Sequence, residues 1–355
     1  MKKFVIWLLT VVFLISILFV GVGCKATTTE TTAAAETTAV AETTAAAETT
    51  AVAETTATSA STEEVYVWAS VLTEITYFID HKLGLDAASK ELGVKTKIIG
   101  PVEYDIQAMI VAIEQEIPNK PAGMMIIGWD KALESTINQI LEAGIPVVTL
   151  DADVATSNRL IFIGTGNYGA GFAGGEMLAK AIGEKGKVAL LSSPTLSNLM
   201  ERERGYKDAL AQYPDIEVVT VADDGSDIGK SAQAAAGIMG ANPDLAGFGC
   251  VGSEGGKGVA AAVKEAGKAG TIKIVSMDRD VETLDFIKNG VIDATVVQKS
   301  ALMSYLGVKF LYDLNHNPVA IVDDNKAANV TPLPAMVDTG TIIVDKNNVD
   351  YFYHK

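Results

Sequence analysis

This chain should fold as an α/β protein with two doubly wound parallel-sheet lobes. Short apolar runs alternate with amphipathic ones from Val65 onward, and the alternation halts at Ile163 and then restarts. The alternating part holds roughly 290 residues, enough for two domains. Val65–Ala69 is apolar and reads as a strand, and Ile79–Leu92 reads as an amphipathic helix. Val94–Ile99 is a strand, Ile106–Ile117 a helix, Gly123–Ile127 a strand, Ala132–Ala143 a helix and Val147–Leu150 a strand. Ile161–Ile163 is a short strand that ends the first run. The second run opens with helix Gly169–Ile182, then strand Lys187–Leu191, helix Leu199–Gln212, strand Glu217–Ala222 and helix Ser231–Met239. Strand Gly247–Val251, helix Gly258–Ala266, strand Ile272–Ser276, helix Val281–Lys288, strand Ala294–Val297 and helix Leu302–Leu314 complete it. Strands joined through helices must run parallel, by right-handed crossovers.

In open parallel sheets a ligand sits beyond the carboxyl ends of the strands. The residues there include Ser70, Trp129, Asp130, Asp151, Ser193, Asp223, Asp224, Ser253, Asp278 and Gln298. Most are polar hydrogen-bonding groups and one is a large aromatic. That inventory suits a small polar molecule better than an apolar one.

The N-terminus has a different character. Lys2 and Lys3 precede an apolar segment, Phe4 to Val20, and Gly21-Val22-Gly23 leads to Cys24. This is the layout of a secretory signal peptide, residues 1–23. Cys24 at its end resembles the lipobox of bacterial lipoproteins, with Gly21 where a Leu-like residue is usual. The resemblance implies a diacylated Cys24, and two acyl chains anchor stably where one is marginal. Residues 24–64 then follow as lipidated cysteine and tether. From Lys25 to Ser61 the chain is nearly all Thr, Ala and Glu in a six-residue repeat, with no aromatic residue. Such a tract does not offset its conformational entropy. As a coil of ~40 residues it spans roughly 35 Å and lifts the body off a membrane.

Charge narrows the partners. The net charge is −16, of which the leader carries +2 and the tract −6, which leaves −12 on the body. An acidic body repels phosphate backbones, so nucleic acid is excluded as a partner. No second long apolar run exists, so the chain is not a permease. Cys250 sits in an apolar strand and reads as a small buried hydrophobe. His81, His316 and His354 are scattered and make no metal-spaced cluster, so neither a metal nor a cofactor is expected.

Several motifs imitate chemistry. Gly164-Thr-Gly166-Asn-Tyr-Gly169 matches GxGxxG, but the next strand ends in Ser192-Ser193-Pro194 and not in an acid. It reads instead as a tight turn with Asn167 capping a helix, followed by small residues for close packing. Gly252-Ser-Glu-Gly-Gly-Lys257-Gly lacks the spacing and hydroxyl of a phosphate loop and reads as a glycine-rich turn into a helix. No histidine follows a strand to serve a Ser/His/Asp triad. The pairs Asp223-Asp224 and Asp278-Asp280 suit a glycosidase, a sugar-binding cleft or helix capping equally well.

Taken together, certain segments are specific. They are Thr76-Tyr77-Phe78, Gly144-Ile-Pro-Val-Val-Thr-Leu-Asp151, Gly164 to Gly171, Arg202-Glu-Arg-Gly205, Ile274-Val-Ser-Met-Asp278 and Ala294-Thr-Val-Val-Gln298. In this order they resemble the ribose-binding-protein-like family of type I periplasmic sugar-binding proteins, from Val65 to the C-terminus. The resemblance implies two lobes joined by three hinge segments, near Thr165, Lys299 and Asp323. The N-terminal lobe would then be 65–165 with 299–323, and the C-terminal lobe 166–298 with 324–355. It implies that Tyr77 and Phe78 sandwich a sugar ring, that Asp151 and Asp278 accept from hydroxyls, that Arg202 donates and that Gln298 lies near the hinge. Asn198 shares the Arg202 loop and faces the ligand, and Trp129 adds a ring face that the ribose pattern lacks. Ala152, Gly252 and Met277 depart from the ribose-binding pattern, which argues against ribose itself.

The function so implied is that of a non-enzymatic, monomeric, extracytoplasmic lipoprotein that captures a monosaccharide for an ABC transporter permease. Two alternatives stand beside it. One is a surface receptor presenting a sugar-like signal such as autoinducer-2 to a sensor, and the other is a secreted glycoside hydrolase.

Overall fold

In the computed structural model, residues 64–194 and 196–354 are described. The leader, Cys24 and the tether before Glu64 lie outside the described residues. Strand and helix alternate through β1 (Val65–Ala69), α1 (Phe78–Leu92), β2 (Lys95–Ile99), α2 (Ile106–Glu116), β3 (Gly123–Ile127), α3 (Leu133–Glu142), β4 (Val147–Asp151) and β5 (Ile161–Gly164). The pattern resumes with α4 (Asn167–Ala181), β6 (Gly186–Ser192), α5 (Ser197–Leu210), β7 (Ile216–Asp223), α6 (Ile228–Ala241), β8 (Leu245–Cys250), α7 (Ser253–Glu265), β9 (Lys273–Met277), α8 (Val281–Lys288), β10 (Ala294–Gln298) and α9 (Ser300–His316). Two short strands, β11 (Met336–Asp338) and β12 (Thr341–Asp345), close the chain.

The strands form two six-stranded sheets of one topology, ordered β11-β5-β4-β3-β1-β2 and β12-β10-β9-β8-β6-β7. Every pair is parallel except β10 with β12. Central strands are buried along their whole length, as β3 and β4 are, because helices cover both faces. Alternation sorts their side chains. Trp68, Met125 and Ile127 pack with Phe78, Leu85 and Leu311 on one face, whereas Val67, Met124 and Ile126 pack with Met109, Ile113 and Ile137 on the other. The second sheet is likewise covered by α6, α7 and α8 on one face and by α4 and α5 on the other. In each sheet the strand order reverses beside the first strand of the lobe, which opens a crevice at the carboxyl ends.

Three readings of the sequence need correction. The third passage between lobes, expected near Asp323, falls instead between Asp338 and Thr341, because β11 pairs in parallel with β5 and remains in the first sheet. Three residues carry no periodic signal, so pairing alone assigns them. The run Gly252 to Gly258 is no loop, since α7 already begins at Ser253. A Cβ on Gly256 would stand 1.8 Å from Ser276 Oγ, so the glycine lets the helix press on β9. Asn167 does not cap α4; it is the first helical residue, and its side chain points elsewhere.

The three connecting segments lie side by side. Thr339 N–H donates to Gly164 O (2.8 Å), and Asp338 Oδ1 accepts from Gly166 N–H and Gly340 N–H (2.8 Å each). Gln298 pairs with Thr341 in the second sheet.

Candidate functional site

Asp151 ends β4, and Asp278 directly follows β9. These strands hold equivalent places in the two sheets. Both aspartates adopt a left-handed backbone, with φ of +67° and +65°. A non-glycine residue there costs on the order of 1–3 kcal/mol, which a fold tolerates mainly at functional positions. Each carboxylate is held at its strand end by donors of its own lobe.

The first lobe supplies Asp151 with two donors. Tyr77 Oη donates to Asp151 Oδ1 at 2.6 Å, and Trp129 Nε1 donates to Asp151 Oδ2 at 2.5 Å. Tyr77 immediately precedes α1, and Trp129 lies just beyond β3. Trp129 stacks on Phe78 with ring centres 5.4 Å apart and planes 24° apart. Tyr77 and Phe78, the pair expected to sandwich a sugar ring, stand with ring centres 5.6 Å apart and planes tilted by 56°. Phe78 is fully buried against Trp68 and His81, so it backs the wall that Trp129 presents. Behind this wall His81 Nδ1 meets Ser304 Oγ at 2.7 Å, which ties α1 to α9. Burial lowers the His81 pKa to about 4 and keeps the ring neutral.

The second lobe builds a chain of bonds around Arg202, which α5 holds buried. Its Nε donates to Asn167 Oδ1 (2.8 Å), Nη1 to Val251 O (3.2 Å) and Nη2 to Gln298 Oε1 (3.1 Å). Gln298 Nε2 donates in turn to Asp278 Oδ1 at 3.0 Å. Burial raises the Asp278 pKa to about 6 against the opposing pull of Arg202. Burial, with Asp151 and Asp278 adding to it, pushes the Tyr77 hydroxyl well above its ordinary pKa. A small cavity between the lobes is lined by Tyr77 and Asp80 from one side and by Asp278, Arg279 and Gln298 from the other.

Of the residues singled out in the sequence, Tyr77, Trp129 and Asp151 meet in one cluster, and Arg202, Asp278 and Gln298 in a facing one. Phe78 stands one layer back. Asn198 is half-buried in the first turn of α5, and its side chain makes no hydrogen bond among the described residues. Asn167 bonds to Arg202 in this cluster although the sequence points only to a cap there, because spacing does not reveal a partner 35 positions away. Cys250 is buried and free, as its apolar surroundings suggest.

The comparisons with known proteins agree with this architecture. Residues 66–317 match the family described as periplasmic binding protein domain. The chain therefore belongs to that family. An arabinose-binding protein from Geobacillus stearothermophilus superposes with a TM-score of 0.78 at 36% identity, covering 82% of this chain and 100% of that one. The sugar-binding protein of a Bacillus halodurans sugar ABC transporter gives 0.78 at 35%, with the same coverage. The D-allose-binding periplasmic protein of Escherichia coli K12 is 27% identical over 273 residues, covering 72% of this chain and 83% of its own.

Proposed function

We propose that this protein captures a monosaccharide in the cleft between its lobes and delivers it to an ABC importer, without catalysing a reaction. The facing aspartates on equivalent strand ends carry this reading. Sugar hydroxyls need charged or amide partners once water is excluded, and sugar C–H faces pack on aromatic rings. Asp151, Asp278, Arg202 and Gln298 answer the first need, and Tyr77 and Trp129 answer the second. A carboxylate has about four lone-pair positions, so Asp151 keeps acceptor capacity for a hydroxyl beside its two protein donors. Each lobe supplies half of the shell, so ligand favours the closed form. The similar proteins named for arabinose and allose support an aldopentose or aldohexose as ligand.

A hydrolase is disfavoured because the paired carboxylates are otherwise engaged. Asp223 and Asp224 accept from the N–H groups of Gly225 and Ser226, and Asp280 pairs with Lys257 at 2.7 Å. The body acts as a monomer outside the membrane, with Cys24 carrying the lipid anchor and residues 25–64 the tether.

A thermal-shift screen against arabinose, allose, ribose, xylose, rhamnose, inositol and autoinducer-2 tests the reading. At a hundred-fold excess over Kd the bound sugar adds about 2.7 kcal/mol, a shift of several degrees. Failure of every carbohydrate to raise the melting point, or turnover of glycosides by the protein, would overturn it. In the same expression host, Cys24→Ser should move the protein from the membrane fraction to the soluble one.

A further inference from the structure

Beside the site, one ion pair joins the lobes directly. Asp80 stands on α1, three residues after Tyr77, and Arg279 follows Asp278 in the other lobe. Arg279 Nε donates to Asp80 Oδ2 at 2.9 Å, and Nη2 donates to Oδ1. The third nitrogen, Nη1, donates to Phe352 O at 2.9 Å. Phe352 packs on the core of the second lobe, so the C-terminal tail holds the guanidinium from its own side of the cleft. His354 Nδ1 lies 3.9 Å from Asp80 Oδ1 on the same side. Among the described residues, every lysine or arginine ion pair other than this one stays within a single lobe.

We propose that Asp80 and Arg279 form a latch that draws the lobes together without help from the sugar, and so sets how tightly the sugar is held. A forked guanidinium–carboxylate pair is the strong form of this contact, and its geometry is demanding. Opening the lobes returns both groups to water, so the net gain is modest. The hold of Phe352 on Arg279 reduces the ordering cost. The consequence follows from population arithmetic, since apparent affinity scales with the fraction of molecules already competent to bind. The latch also flanks the site closely enough to keep Tyr77 and Asp278 on opposite walls.

The link to affinity rests on the sugar-binding function proposed above, whereas the link to closure does not. The full chain in detergent, with spin labels at Glu114→Cys on α2 and Lys264→Cys on α7, reports the inter-lobe distance with no ligand present. Both positions are exposed, Cys250 is buried, and Cys24 carries lipid under the proposed function. Asp80→Asn and Arg279→Gln should each shift the distance distribution of the ligand-free protein to longer values. Each should also weaken sugar binding about ten-fold, chiefly through faster release. The double variant should lose no more than the worse single one, the mark of two residues acting as one contact. Distance distributions indistinguishable from wild type in both single variants would overturn the latch, whatever the sugar screen finds. Should Asp80→Asn fail to fold, Arg279→Gln, at the more exposed partner, decides the question alone by the same distance measurement.

Discussion

Asp151 combines an unusual backbone with a carboxylate that already holds two donors, and the two are separable. Asp151→Ala leaves Tyr77 Oη and Trp129 Nε1 without their acceptor and strains a left-handed position. A hydrogen bond to a charged group contributes ~1.5–3 kcal/mol, so sugar affinity should fall roughly ten- to hundred-fold by calorimetry. Asp151→Asn, which tolerates the same φ, should fold better than the alanine variant and still bind weakly. Asp278 and His81 pull stability in opposite directions with pH. The folded protein holds the Asp278 proton up to about pH 6, against 3.8 ordinarily, so stability falls as pH rises through that window. His81 takes its proton near 6.5 ordinarily but near 4 when folded, so stability is lost as pH falls through an overlapping window. Asp278→Asn removes the first effect only. Urea titrations from pH 4 to 7 should therefore show wild type losing ground to the variant as pH rises, and a constant difference would disprove the Asp278 assignment.

The helix pair α4 and α5 carries the site through its backbone contact. A Cβ on Gly171 would stand 1.9 Å from Arg202 O, so the glycine permits the approach that places the guanidinium. Gly171→Ala should cost about 1–3 kcal/mol in chemical denaturation, as overpacked contacts do. Because the helix that moves bears Arg202, the same variant should also weaken sugar binding. Loss of stability with affinity intact would show that α5 and the site are not coupled in this way. The strand pair β11 and β12 illustrates a different dependence. Three and five residues long, they follow a stretch of 19 residues between His316 and Met336 that holds no helix or strand, and their partners lie far back in sequence.

Across the molecule, two sheets of one topology are joined through three adjacent segments. Hydrogen bonds and strand pairing hold the three segments together. A polyol held between the two lobes replaces water at both of them at once. The acidic body disfavours polyanions such as nucleic acid and leaves a small polar ligand as the fitting occupant of the cleft.

Much of this was written in local patterns. Apolar runs of strand length between amphipathic stretches dictate parallel sheets, and sheet geometry dictates that Trp129, Asp151, Asp278 and Gln298 stand where a ligand would sit. Those rules act over a few residues, so they survive reading along a line. The partnership of Asn167 with Arg202, the retreat of Phe78 behind Trp129, the late third passage and the Asp80–Arg279 fork do not. Asp80 and Arg279 are 199 positions apart, and no period or spacing links them. Such contacts exist only once two independently patterned lobes have packed, because packing and not propensity fixes which side chains come within reach across the gap.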